Sequence, residues 1–218
     1  MIDNVGFALI SCIRNGMAAD AGPDRFQSLN VPAGYRVDQE MLQGNFSIPQ
    51  GYNFAMRHST AKYKIYLNPS VAILNQNLLA DVLSLFQAHP ELGMLGVLGA
   101  RQLPANGVWW EAAEKSGKMV LPGKSISFPS RSGADYESVQ AVDGAVMITQ
   151  YDIPWREGAF AEVFYDTAQC LEFLKAGYAV GIPRQDQPWC AYNNPDSLFQ
   201  FYHEREAFIR EYAGMIPI

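Results

Sequence analysis

The sequence predicts an α/β fold: a mixed, mostly parallel sheet flanked by helices. Three observations carry that prediction. Short, continuously apolar runs such as Val5–Ile10 and Gly93–Gly99 read as strands buried on both faces. Segments with a helical period lie between them, Leu78–Phe86 being the clearest. The order is β-α-β-α-β, then a mixed region, then β-α-β, which builds a sheet that begins parallel and gains antiparallel strands later.

Val5–Ile10 opens the series and ends in the polar run Ser11–Gly16, at the strand edge where open α/β sheets collect ligands. Tyr35–Glu40 is a weaker strand. Gly51–Ala61 carries few β-branched residues and reads as a short helix, followed by a central strand at Lys64–Asn68. Asn77 is placed to cap the next helix, whose stripe of Leu78, Leu79, Val82, Leu83 and Phe86 runs until His89-Pro90 stops it. From Arg101 to Ser138 the text is rich in Gly, Pro and Ser, with short strands at Lys118–Leu121 and Ser125–Phe128, so it reads as an insertion or antiparallel excursion. Val142–Thr149 is a strand, Asp166–Ala176 a helix ended by Gly177, and Tyr178–Ile182 another strand. Ser197–Tyr212 is an amphipathic helix with Leu198, Phe201, Tyr202, Phe208, Ile209 and Tyr212 on its apolar side.

With 218 residues, 49% of them hydrophobic, the chain can bury a sizeable core, and residues 1–218 read as one domain. The insertion falls near 101–138 and the closing helix over 197–213. A net charge of −6 argues against nucleic acid as a partner, because that binding rests on clustered Lys and Arg. A single diphosphate remains compatible, since a few basic groups and backbone N–H donors suffice. Cys12, Cys170 and Cys190 are odd in number and widely spaced, which suits buried free thiols in a reducing compartment. Val5–Ile10 is too short to span a bilayer and lacks the flanks of a signal peptide, so a cytoplasmic protein without a transmembrane segment is expected. A homo-oligomer is compatible with the aromatic final helix.

Several chemistries find no support. Gly44–Gly51 holds neither a dinucleotide fingerprint nor a phosphate loop, and no G-x-S-x-G elbow occurs. His58, His89 and His203 lack ligand spacing. Asp143-Gly144 reads as a turn at a strand edge rather than as a catalytic acid.

Three segments in order resemble the family 2-like glycosyltransferases of the GT-A fold, and most nearly the branch related to the streptomycin-biosynthesis StrF domain. They are the first strand into Ser11–Asn15; Gly51–Ala55 followed by Ala61–Asn68; and Val142–Ile148 followed by Ala161–Leu171 and Gly177–Gly181. Together they span most of residues 5–183. The resemblance implies a nucleotide-sugar donor, with Ser11 and Ile13 under the base or ribose. It implies Glu40 near the base or ribose and Asn53 facing the pocket. Asn68 and Ser70 stand where the family carries metal-binding acidic residues, and Asp166 where it carries the catalytic base.

Transfer to a hydroxyl needs a carboxylate within hydrogen-bond reach of the acceptor, and Asp166 could serve. Equally, an Asp at a helix start can be a plain N-cap. A departing diphosphate usually leans on a metal Lewis acid, and hard divalent ions want carboxylate oxygen. Asn68-Pro69-Ser70 offers only neutral oxygens, so no metal site is expected and any Mg²⁺ or Mn²⁺ would be held weakly. Arg14, Arg57, Lys62, Lys64 and Arg131 are the cations available to replace it, or simply solvated charges. Trp109-Trp110, Trp155 and Trp189 could form a sugar-stacking platform or belong to the core. Three readings follow: an inverting, metal-independent transferase; a nucleotide-binding protein of the same fold without transferase activity; or a partner-binding protein.

Overall fold

A computed structural model describes residues 3–14, 28–131, 133–158, 160, 163–193 and 201–217. Two sheets and four helices make up the described chain. The main sheet holds β1 (Asp3–Arg14), β2 (Arg36–Gly44), β3 (Ala61–Leu67), β5 (Leu92–Gly96), β9 (Tyr136–Ser138), β11 (Val146–Thr149) and β12 (Ala179–Pro183). Their spatial order is β2-β1-β3-β11-β5-β12-β9. Strands β2, β1, β3, β5 and β12 run in one direction, while β11 and the edge strand β9 run against them. The predicted mixed, mostly parallel sheet is therefore present.

The second sheet orders β10 (Ala141–Val142), β6 (Leu98–Ala100), β7 (Lys115–Leu121), β13 (Cys190–Tyr192) and β4 (Val71–Ile73), with β8 (Lys124–Phe128) also paired to β7. The stretch after Arg101 supplies β7 and β8, an antiparallel pair within this mixed sheet, and the two strands meet at Pro122-Gly123, where Gly123 takes the positive φ of +72° that such a turn demands. Strands β4 and β13 escaped the sequence reading, since three residues give no measurable period. Two predicted strands are each broken: 93–99 into β5 and β6, and 142–149 into β10 and β11. Each break moves the chain from one sheet to the other.

Helix α1 (Ile48–His58) begins and ends three residues earlier than the predicted 51–61. Ser47 Oγ accepts the amide N–H of Gln50 while Gln50 Oε1 accepts Ser47 N–H, a reciprocal cap that fixes the start, and Ala61 joins β3. Helix α2 (Leu78–Ala88) buries the predicted stripe, and Asn77 holds its N-cap position but makes no capping hydrogen bond with its side chain. The Asn77 Oδ1 is engaged by Asn30 Nδ2 at 2.9 Å, and Asn75 binds Asp81 at 2.7 Å instead. Helix α3 (Tyr165–Lys175) ends as expected at Gly177, φ +86°, with Gly177 N–H on Leu174 O and Tyr178 N–H on Phe173 O.

Helices α1 and α3 cover one face of the main sheet, over Ala8, Ile10, Tyr66, Met94, Met147 and Val180. Helix α2 and the second sheet cover the other, over Phe7, Leu9, Ile65, Leu95 and Ile148. Helix α4 (Phe201–Glu211) packs on the chain itself: Phe208 stacks on Phe164 at 4.7 Å, and Tyr212 Oη donates to Glu172 at 2.7 Å. The predicted start at Ser197 and the side chains of Phe201, Tyr202 and His203 lie outside the described residues. All three cysteines are free and buried. No described helix is long and apolar enough to cross a membrane.

Candidate functional site

The carboxyl ends of β1 and β3 form one rim of the main sheet, and a seam of hydrogen bonds runs along it. Ser11 is buried on β1 opposite Leu67 and donates its hydroxyl to Leu67 O at 2.9 Å. The next residue, Asn68, donates its N–H to Ala145 O at 3.0 Å and accepts Ser70 N–H on its own Oδ1 at 3.0 Å. Pro69 suits that tight turn because its φ is already fixed. Ser70 O in turn accepts the amide of Asn193, which carries the rim toward β13. Ala145 belongs to the turn Asp143-Gly144-Ala145 between β10 and β11, and Gly144 donates to Asp166 Oδ2 at 2.9 Å. Ser11, Asn68, Ser70 and Asp166 are therefore brought together through the 143–145 turn.

Asp166 stands in the first turn of α3 and is not its N-cap, a position held by Phe164. Its side chain reaches sideways to Gly144, and its Oδ1 accepts Thr167 N–H at 2.6 Å and Thr167 Oγ1 at 3.3 Å. Burial pushes the carboxyl up to about 8, the nearby charge of Asp143 adds to the rise, and the bonds from Thr167 and Gly144 oppose it. A carboxyl in that range can exchange a proton near neutral pH. Behind it, Tyr165 donates to Gly144 O at 3.4 Å and borders an aromatic cluster of Tyr52, Tyr66 and Trp155.

Other expected site residues lie elsewhere. Asn53 is buried under Trp155: its Nδ2 donates to Trp155 O at 2.9 Å and Glu157 at 2.6 Å, and its Oδ1 accepts Trp155 N–H at 2.8 Å. Glu40 lies on the α1 face of β2, its acidity weakened chiefly by burial and partly restored by a bond from Ser59. Arg57, in the last turn of α1, pairs with Glu157 at 3.3 Å where the helix returns to the start of β3, the edge opposite the rim. Ile13 is buried near the end of β1, and Arg14 closes that strand, its side chain outside the described set. Of the other candidate cations, Lys64 is buried and bound to Asp152 and to Ala61 O, each at 2.7 Å, Arg131 pairs with Glu114, and Lys62 sits over the Tyr63 ring.

The four tryptophans do not form a platform. Trp155 is buried in the core under α1 and α3, Trp109 and Trp189 in the core on the other side of the sheet, and Trp110 is exposed. A hollow of about 900 Å³ lies between α2 and the 183–189 loop, lined by Leu74, Asp81, Arg184 and Trp189 among others. It touches none of Ser11, Asn68, Ser70 or Asp166. Residues 15–27 follow β1 at the rim and residues 194–200 follow β13, and both lie outside the described residues.

A divalent ion does not fit the donor set at residues 68–70. The Asn68 carbonyl oxygen is already spent on Ser70 N–H, and both side chains are neutral. Among the described residues no three His, Cys, Asp or Glu side chains are placed to share a metal. From the sequence, Asp143-Gly144 reads as a strand-edge turn with no part in the site, and Tyr165 carries no assigned role. Asp-Gly between two apolar runs was visible as a turn, but its contact with residue 166 depends on packing.

A family model described as a glycosyltransferase-like family matches residues 8–212. Comparison with curated proteins gives no match. Among solved structures, the chain is similar to Staphylococcus aureus TarS 1-349 in complex with UDP-GlcNAc, at 12% identity and a TM-score of 0.58, over 88% of this chain and 59% of that one. It is also similar to a second structure of S. aureus TarS, at 12% identity and a TM-score of 0.62, over 97% of this chain and 40% of that one. The mannosyltransferase PcManGT of Pyrobaculum calidifontis, in complex with GDP-Man and Mn²⁺, is 11% identical with a TM-score of 0.57, over 95% of this chain and 63% of that one. These likenesses establish a GT-A fold. The chain spans less than two thirds of the length of each of these proteins.

Proposed function

We propose, from the premise that this chain belongs to the glycosyltransferase-like family, that it transfers a sugar from a nucleotide-sugar donor to an acceptor hydroxyl with inversion. The observation that carries the reading is Asp166: a buried carboxyl with its proton affinity raised, at the rim where Ser11, Asn68 and Ser70 meet. In the reaction the acceptor oxygen forms a bond to the anomeric carbon while the bond from that carbon to the diphosphate breaks. The acceptor proton passes to Asp166 as the oxygen attacks, and the bonding pair leaves with the nucleoside diphosphate. A metal in such sites supplies Lewis-acid stabilisation of the leaving group. Asn68 and Ser70 do not provide for one, and no step is assigned to it. The order of the three matching segments supports the StrF-related branch.

The neutral Asn68-Pro69-Ser70 turn favours a second reading, in which the fold binds nucleotide without transferring sugar. One experiment separates the two. Thermal unfolding is followed across UDP, GDP and dTDP and their sugars, and every donor that shifts the midpoint is assayed for hydrolysis or transfer. Turnover abolished by Asp166→Asn supports the transferase. A shift without turnover supports the binding protein, and no shift with any nucleotide removes both.

A further inference from the structure

Asp143 is half-buried at the head of the turn between β10 and β11, and its Oδ1 accepts the amide hydrogen of Ala145 at 2.8 Å. That ring of atoms sets the direction of the peptide groups inside it. The Gly144 N–H is aimed at Asp166 Oδ2, 2.9 Å away, and the Ala145 carbonyl accepts Asn68 N–H at 3.0 Å. Asp143 N–H donates to Leu98 O at 2.8 Å, which anchors the turn to β6. Gly144 can lie this close because it has no side chain: a Cβ there would stand 2.5 Å from Tyr165 Oη and 3.2 Å from Asp166 Cβ.

We propose that Asp143 is a positioning residue for Asp166: its carboxylate shapes the turn whose peptide groups orient the Asp166 carboxyl and join it to the Asn68 turn. An asparagine could hold the same Ala145 amide, so the turn alone does not require a charge. The charge acts on Asp166. Among the described residues, the titratable groups facing Asp166 are Asp143 from the turn, Cys170 one helical turn along α3, and its neighbour Tyr165. Burial pushes the Cys170 thiol well up, and for Asp166 the nearby charge of Asp143 adds to burial in opposing loss of the proton. The arrangement holds a base both aimed and eager for a proton. It rests on the transferase reading only for its chemical purpose.

The test is a carboxyl-carbon NMR titration of Asp166 in the full chain without donor or acceptor, for wild type, Asp143→Asn and Asp143→Ala. Asp143→Asn keeps the acceptor for Ala145 and removes the charge, so the Asp166 midpoint falls by about half a unit or more. Asp143→Ala releases the turn, so hydrogen exchange at the Gly144 amide quickens about tenfold or more. An Asp166 midpoint unmoved in Asp143→Asn, or a Gly144 amide as protected in Asp143→Ala as in wild type, overturns the assignment. If Asp143→Ala does not fold, the Asn variant alone decides. Because no substrate is present, a midpoint shift in a chain inert toward every donor would count against the transferase reading and leave this one standing.

Discussion

Asn53 grips the main chain of Trp155 from both sides, giving a hydrogen bond to its carbonyl at 2.9 Å and taking one from its N–H at 2.8 Å. The two residues are 102 positions apart, so this single amide fixes α1 against the segment that leads to α3. The side chain expected to face a nucleotide spends these bonds on the chain's own backbone. Asn53→Ala leaves both buried Trp155 groups without these partners and should cost about 2–3 kcal/mol, read from urea unfolding. Asn53→Asp should cost more, because it sets a carboxylate where Nδ2 now meets Glu157 at 2.6 Å.

Asp166→Asn should stop transfer, with a loss of about 100-fold or more in kcat at any pH. In the wild type, log kcat should rise with unit slope below about 8 and level off above it, as the base ionises.

The same residue makes stability depend on pH. Its pKa is raised on folding, so the native state holds a proton that the unfolded chain releases between about pH 4 and 8. That stabilisation is complete below the unfolded value and is lost as pH rises through about 8. Asp166→Asn should therefore gain on the wild type as pH increases, with a Tm higher by roughly 3 °C or more at pH 9, seen in paired thermal melts.

Gly144→Ala should destabilise by about 1–3 kcal/mol, since its methyl carbon would press on the Tyr165 hydroxyl. Adding Tyr165→Phe removes the nearest atom, and the double variant should recover about 1 kcal/mol of that loss. Additive effects in the double-mutant cycle would contradict this contact.

Replacing Asn68 and Ser70 together by Asp should create the carboxylate donors that the turn lacks. Both positions are buried, so the variant should melt lower than wild type in EDTA and regain stability with Mn²⁺. An identical melt with and without Mn²⁺ would show that these positions cannot converge on an ion.

The layers of the fold were legible because their signals are local. The run at Leu78–Phe86, the apolar strands and Gly177 each state their element within ten residues or so. The site was legible in part. Ser11, Asn68, Ser70 and Asp166 do share one rim, whereas Glu40, Asn53 and Arg57 turn to partners on or beyond α1. Nothing local distinguishes an asparagine that faces a ligand from one that binds a distant backbone. Asp143 shows the same limit from the other side, since its influence on Asp166 arises only when two remote segments pack.

Strand β11 runs against β3 and β5, its neighbours in the middle of the sheet. Its beginning, not its end, consequently arrives where β1 and β3 finish. The chain thus presents residues 143–145 on the way in, and no long return over the sheet is needed to deliver them. Lengthening the loop before β11 would disturb the Gly144–Asp166 and Ala145–Asn68 contacts directly, whereas extra residues after Thr149 would fall at the far edge and leave them in place.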